Sequence, residues 1–252
     1  FHIGTTYVEA EVRLLDTDRL GPGEEGLAAL HTKQSVVILP GMHAVIRAFS
    51  EVADFGKTLG GGPILLPIVP RARPENIAAL GRLSADDGAT RVIAAALLAG
   101  PAGIRRRALS AWVDLAPDPL AEATSAAEGE ELIILATPGA GGSARAEDVI
   151  LHSEHERRLL GRAAARVEVY HAANPRRSAM PREELRSQVH GIEEPRFFHA
   201  LCDRWVATGD LEGDDRSLRI PGFQVRLDDR FIKLTGAIEE QLKAGGVTPP
   251  TM

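Results

Sequence analysis

Apolar and polar side chains alternate along the first part of the chain. Val8, Ala10, Val12 and Leu14 are separated by Glu9, Glu11 and Arg13, and related alternation runs through Leu27–His31 and Ala44–Phe49. Successive side chains of a strand point to opposite faces, so this step predicts strands with one wet side. Gly21-Pro-Gly23 and Pro40-Gly41 supply turns between them. Six short strands in about 70 residues predict a small antiparallel β-barrel. Thr58–Leu66 is its expected closing strand, with Gly60, Gly61 and Gly62 where a barrel bends or another backbone comes close.

Beyond the segment Pro67–Pro74, which carries Arg71 and Arg73, the period becomes helical. Ser84 is the expected cap of a helix bearing Val92, Ile93, Ala96 and Leu97, which stops before Gly100-Pro101. Short helices are predicted over Ile104–Val113 and Pro119–Glu128. Strands over Glu131–Thr137 and Ala146–Leu151 follow, joined by a Gly-Ala-Gly-Gly-Ser turn at 139–143. Three helices and a hairpin make a winged-helix layout. The succession then recurs: helices at 153–173, 181–190 and 195–208, with a hairpin over Leu211–Ile220 about Gly213-Asp-Asp215. A two-fold recurrence supports both copies. Phe231, Ile232, Leu234, Ile238 and Leu242 begin a further amphipathic helix that halts at Gly245-Gly246. The expected fold class is multi-domain, a β-barrel followed by tandem α+β winged helices. Its divisions are 1–70 barrel, 71–83 linker, 84–152 first winged helix, 153–222 second, and 223–252 the start of a truncated third.

Charge changes this picture at one place. Between Arg157 and Arg186 lie eight arginines and three glutamates, a local balance of +5 in a chain of net −6. Within it, Asn174-Pro175 stops one helix, because the residue before proline is barred from the helical region. Pro181, Glu183 and Glu184 suit the start of the next. Arginines around a helix–turn–helix joint fit a phosphate backbone, and equally a solvated helical face. At 44% apolar and 25% charged residues, the chain is of ordinary globular make-up. The single Cys202 excludes an internal disulfide and a cysteine-based zinc site. No apolar run approaches the roughly 20 residues needed to cross a bilayer, so a cytoplasmic protein without a membrane partner is expected.

The residues offer little for catalysis, and no catalytic residue and no metal ligand set is predicted. His152, His155 and His171 lack a matching carboxylate pattern, and Gly60-Gly-Gly62 is followed by no Lys-Ser/Thr pair.

Phe1-His-Ile-Gly-Thr-Thr6, Val12-Arg-Leu-Leu-Asp16, Leu39-Pro-Gly41, Val45-Ile-Arg47 and Gly60-Gly-Gly62 resemble the third domain of the bacterial selenocysteine-specific elongation factors, the SelB family, a barrel related to the last domain of EF-Tu. His171-Ala-Ala-Asn-Pro175 and Met180-Pro-Arg-Glu-Glu-Leu-Arg186 resemble a motif of the family's second winged helix. Phe55-Gly-Lys-Thr-Leu-Gly60 departs from the family and is closer to a Gly-Arg-Thr-Val-Gly turn of EF-Tu. The barrel's first strand is expected before Phe1.

The resemblance implies a monomeric part of a translation factor whose partners are selenocysteyl-tRNA, the ribosome, its own N-terminal GTPase domain and, through further C-terminal winged helices, a selenoprotein mRNA hairpin. GTP and Mg belong to the full-length factor and no cofactor to this chain, which contains no Gly-x-x-x-x-Gly-Lys-Ser/Thr and is not itself expected to be an enzyme. The residues expected against RNA are Lys57 and Thr58 in the turn, Arg105, Arg106 and Arg107 at a helix start, and Arg176, Arg177 and Arg182 about the joint. Two other readings stand beside it: a winged-helix DNA-binding regulator and a pure structural spacer. The first needs a basic recognition helix, yet Pro117–Glu128 has no basic residue and several acids.

Overall fold

The computed structural model describes residues 1–52, 56–68, 74–129, 131–137, 147–225 and 236–243. They group into two compact units, Phe1–Arg158 and Leu159–Met252.

The first unit opens with β1 (His2–Ile3), β2 (Thr6–Tyr7), β3 (Ala10–Leu14), β4 (Ala28–Thr32), β5 (His43–Val52) and β6 (Gly56–Pro63). β1, β2, β5 and β6 form one antiparallel sheet in the order β2-β1-β5-β6, and β3 pairs β4 from Ala10↔Thr32 to Leu14↔Ala28. The alternation accounts for the faces. Ala44 is buried while Val45, Arg47 and Phe49 are exposed, and Phe1, Ile3, Val8 and Ala44 make a small core with Leu30, Ile38 and Ile64 packed on it. Gly61 lies opposite Val45, where an added Cβ would sit 2.4 Å from the carbonyl oxygen of Ala44. Only glycine lets β5 and β6 approach so closely.

The helical part of this unit holds α1 (Pro74–Arg82), α2 (Gly88–Ala99), α3 (Pro117–Ala127), β7 (Ile104–Arg105), β8 (Leu132–Leu135) and β9 (Val149–His152). α1 lies within the span read as linker, yet its Ala79 and Leu80 are buried in the same core as Val92, Ile93 and Ala96 of α2. Two local expectations are corrected. α2 is capped by Asp87, whose carboxylate accepts from the amides of Ala89 and Thr90, and not by Ser84, whose hydroxyl donates to Gly81 O at 2.8 Å. Residues 104–113 are not one α-helix: Ile104 and Arg105 pair with Ile150 and Val149, and Arg106–Ala111 form a 3-10 helix. Gly103 sets that course with φ 65°, and a Cβ there would lie 2.8 Å from Ile150 O. All four residues of β9 are buried, so its apolar run does not alternate. The expected turn at 139–143 lies outside the described residues.

In the second unit the helix α4 (Ser153–Ala173), which begins in the first unit, is followed by β10 (Met180–Pro181), α5 (Arg182–Gln188), α6 (Pro195–Thr208), β11 (Glu212–Gly213) and β12 (Ser217–Arg219). Leu159, Ala163, Val167 and Tyr170 of α4 recur every three or four residues and are buried as one apolar stripe, with Leu160 and Ala164 half-buried at its edge. α6 ends at Gly209, left-handed at φ 79°. The strand order β10-β12-β11 repeats that of β7-β9-β8, so one topology occurs twice along the chain. Residues 236–243 are helical and exposed, and 228–235, where a further helix is expected to begin, lie outside the described residues. No helix among the described residues is long and apolar enough to cross a membrane.

Candidate nucleic-acid interface

The joint between α4 and β10 is built by its asparagine and proline. Asn174 N and Nδ2 both donate to Tyr170 O, at 2.8 and 3.0 Å, ending the helix. Arg177 N then donates to Asn174 O at 2.9 Å, closing a turn that leaves Arg176 and Arg177 exposed at its tip. Pro181 proves to be a strand residue, paired with Ser217, at the cap position of α5.

Arg182 does not join them. It is 3% exposed, its guanidinium donating to Asp203 Oδ1 at 2.7 Å while its Nε meets no partner. A phosphate cannot reach it, and Arg182 is withdrawn from the RNA-facing set.

The Arg105–Arg107 run is likewise answered from within its own unit. Arg105 reaches Glu147 Oε2 at 3.2 Å and the carbonyl of Glu147 at 2.8 Å, Arg107 pairs with the same carboxylate, and Arg106 Nε lies 3.8 Å from Asp148 Oδ2. These acids neutralise much of the run, and a phosphate would have to displace them. Arg105 ends β7 and stands at the cap position of the 3-10 helix that Arg106 and Arg107 begin, so the run does open a helix, of the 3-10 kind. Lys57 and Thr58 lie exposed on β6, Thr58 opposite Arg47, in a strand instead of a free turn.

Elsewhere on the basic segment, Arg158 pairs with Glu154 and Arg186 with Glu183, each one turn away. Sequence reasoning missed a concave feature that Arg162 and Arg166 line with Ala165, Val169, Gln188 and His190, of about 400 Å3. The i, i+4 spacing of the two arginines was visible; the approach of Gln188 and His190 was not.

His152, His155 and His171 make structural contacts. His152 Nδ1 accepts from Glu154 N at 3.1 Å, so its proton sits on Nε2, which points to Glu131 Oε2 at 3.1 Å. His155 Nε2 donates to Leu97 O at 2.7 Å. His171 stacks on Phe223, ring centroids 3.6 Å apart, with neither ring nitrogen hydrogen-bonded. No group of three or more metal-ligating side chains occurs among the described residues. Cys202 is buried, its thiol pushed up to about 12, so it packs without reacting. Gly60-Gly-Gly62 lies inside β6, and 64–68 after it are not helical, so no helix N-terminus meets these glycines as a nucleotide phosphate site needs.

Burial holds His152 and His171 below the ordinary imidazole value of 6.5, with the charge of Arg219 adding to the effect at His171. The unfolded chain then binds protons that the folded chain refuses, so stability is fully present above 6.5 and falls as pH drops below it toward the lowered values. His171→Phe keeps a ring against Phe223 and removes two orphaned nitrogens; thermal melts should show about 1 kcal/mol of added stability and a shallower acid slope. A variant less stable than the parent at every pH would mean that the imidazole nitrogens are bonded in solution.

Residues 164–219 match the family described as "Elongation factor SelB, winged helix", a span running from α4 to the end of β12. The whole chain is also 26% identical over 253 aligned residues to a selenocysteine-specific elongation factor of Desulfomicrobium baculatum. The match covers 100% of this chain and 38% of that relative's length. The winged-helix match and the full-length alignment agree: the chain is similar to SelB-type elongation factors, and its residues 164–219 match the winged helix of that family.

Proposed function

We propose that this chain is the part of a selenocysteine elongation factor that joins its tRNA-holding body to its mRNA-reaching arm, acting at recoded UGA codons. The carrying observation is that similarity to the Desulfomicrobium baculatum factor runs through all of this chain, while the SelB winged-helix match falls on its second unit. The six strands of residues 1–70 then act as an EF-Tu-domain-3-like barrel against the tRNA and the GTPase domain. The helical part of the first unit, with its first-third-second strand order, acts as the first winged helix. GTP hydrolysis belongs to the GTPase domain and no bond is broken by the residues described; the work here is positioning. Phosphate contacts fix register without reading sequence, a role open to Lys57, Thr58, Arg176 and Arg177. The two linked binding regions raise the effective concentration of tRNA and mRNA for each other.

A DNA-binding regulator is disfavoured by α3, which carries Asp118 and Glu122 and no cation. The chain should therefore bind selenocysteine tRNA in preference to duplex DNA at physiological salt, with affinity falling as salt rises. Equal or tighter binding to duplex DNA sinks the translational reading. Reversing the charge at the joint, Arg176→Glu with Arg177→Glu, should cut UGA recoding by the full-length factor about tenfold while leaving the thermal melt in place. Loss of the melt would instead assign those arginines to packing.

A further inference from the structure

Arg162 and Arg166 stand on α4 at positions separated by about 6 Å of helix rise. With Gln188 at the end of α5 and His190 just after it, they line the cavity of about 400 Å3, whose remaining lining is Ala165 and Val169. All six residues belong to the second unit.

The lining holds no carboxylate, and neither arginine has an ion-pair or hydrogen-bond partner among the described residues. Three other arginines of the same segment set the contrast: Arg158, Arg182 and Arg186 are held by Glu154, Asp203 and Glu183. A guanidinium without a counterion presents a planar fork of N–H donors, the geometry that phosphate oxygens accept. Gln188 adds an amide able to donate and accept, and His190 an imidazole. Val169 is 62% exposed and, with Ala165, gives the cavity an aliphatic floor.

Two cations, two further hydrogen-bonding groups and an apolar floor match the parts of a sugar–phosphate chain: phosphates for the guanidiniums, hydroxyls for the amide and imidazole, and the carbon face of the sugar for the floor. An acidic peptide would satisfy the arginines and leave the rest unmatched. We propose that this groove binds the phosphodiester backbone of RNA, so that the second winged helix touches RNA along α4 and not only at the joint. The proposal rests on the translational reading above and extends it to residues which that reading does not use.

The test uses the whole 252-residue chain and a fluorescein-labelled RNA stem-loop of arbitrary sequence, titrated by anisotropy over a series of salt concentrations. Arg162→Gln with Arg166→Gln should weaken binding about tenfold and lower the slope of log affinity against log salt by about 1 to 2, the loss of two phosphate contacts. Both side chains are exposed, so the thermal melt should not move. Gln188→Ala should weaken binding a few-fold with the slope unchanged. Unchanged affinity and slope in the arginine variant, alongside a clear loss in Arg176→Gln with Arg177→Gln, overturns the groove and leaves the translational reading standing. Absence of RNA binding by the parent chain overturns both. Displacement of the RNA by polyglutamate at matched charge overturns the groove as an RNA site and assigns it to an acidic peptide.

Discussion

Trp205→Ala should cost about 3–5 kcal/mol and remove the folded state of the second unit well before that of the first. Trp205 is 0% exposed in the last turn of α6, and Phe198, Leu201, Leu211 and Leu218 of the same unit are fully buried too. The indole is also where the helix hands over to the wing: Leu211 N donates to Trp205 O at 3.1 Å, and Thr208 Oγ1 to the same oxygen at 3.3 Å. Alanine keeps those backbone bonds and empties the volume, so apolar transfer and packing are lost. Small domains hold only about 5–15 kcal/mol in all, and a loss of this size shifts the midpoint of a domain of about 100 residues by on the order of 15 °C. The sequence supplies the measurement, since its two tryptophans are Trp112 in the first unit and Trp205 in the second. In the variant, circular dichroism should show an early loss of helix while Trp112 fluorescence keeps the parent midpoint. A cost under about 1 kcal/mol would mean that the site collapses around the missing ring, or that the indole is not buried in solution.

Much of this architecture follows from local pattern. The two-residue alternation placed β3, β4 and β5 as strands, although Val12 of β3 and Val45 and Phe49 of β5 are exposed, and in α4 the recurrence of Leu159, Ala163, Val167 and Tyr170 selects the buried face. The features that escaped are those decided by residues far apart in the chain. Ser84 and Asp87 are both competent caps, and the tertiary course of α2 chose the second. Ile104 and Arg105 carry no strand signal of their own; Val149 and Ile150, more than forty positions on, recruit them.

Charge was legible only as a sum. The count over 157–186 found a basic segment, but not which arginines are spent inside the protein. Glu147, distant in sequence, holds Arg105 and Arg107; Asp203 holds Arg182; Arg162 and Arg166 are left uncommitted. A binding surface is made by cations that the fold does not use, and that subtraction requires the three-dimensional partners.

Arg182 gives the sharpest case, and removing its partner should be expensive. Asp203→Ala leaves a guanidinium whose side chain is 4% exposed facing no anion, and its Nε already lacks a partner. Breaking a buried pair from one side costs about 3–5 kcal/mol. Asp203 is itself 67% exposed, so water supports the lone charge in part, and about 2–3 kcal/mol is expected in urea unfolding. The reverse deletion differs in kind. Arg182→Met keeps the aliphatic stem in the core and frees a carboxylate that already meets water, so its cost should stay near 1 kcal/mol. Placing Asp203→Ala on top of Arg182→Met should then add almost nothing, a coupling of about 2 kcal/mol between residues twenty-one positions apart. The same Met variant separates structure from binding: its RNA affinity and salt slope should equal those of the parent, because Arg182 contributes no phosphate contact. An Asp203→Ala cost under about 0.5 kcal/mol, the range of plain surface substitutions, would show that Arg182 swings out to solvent, and it would return to the list of RNA-facing residues.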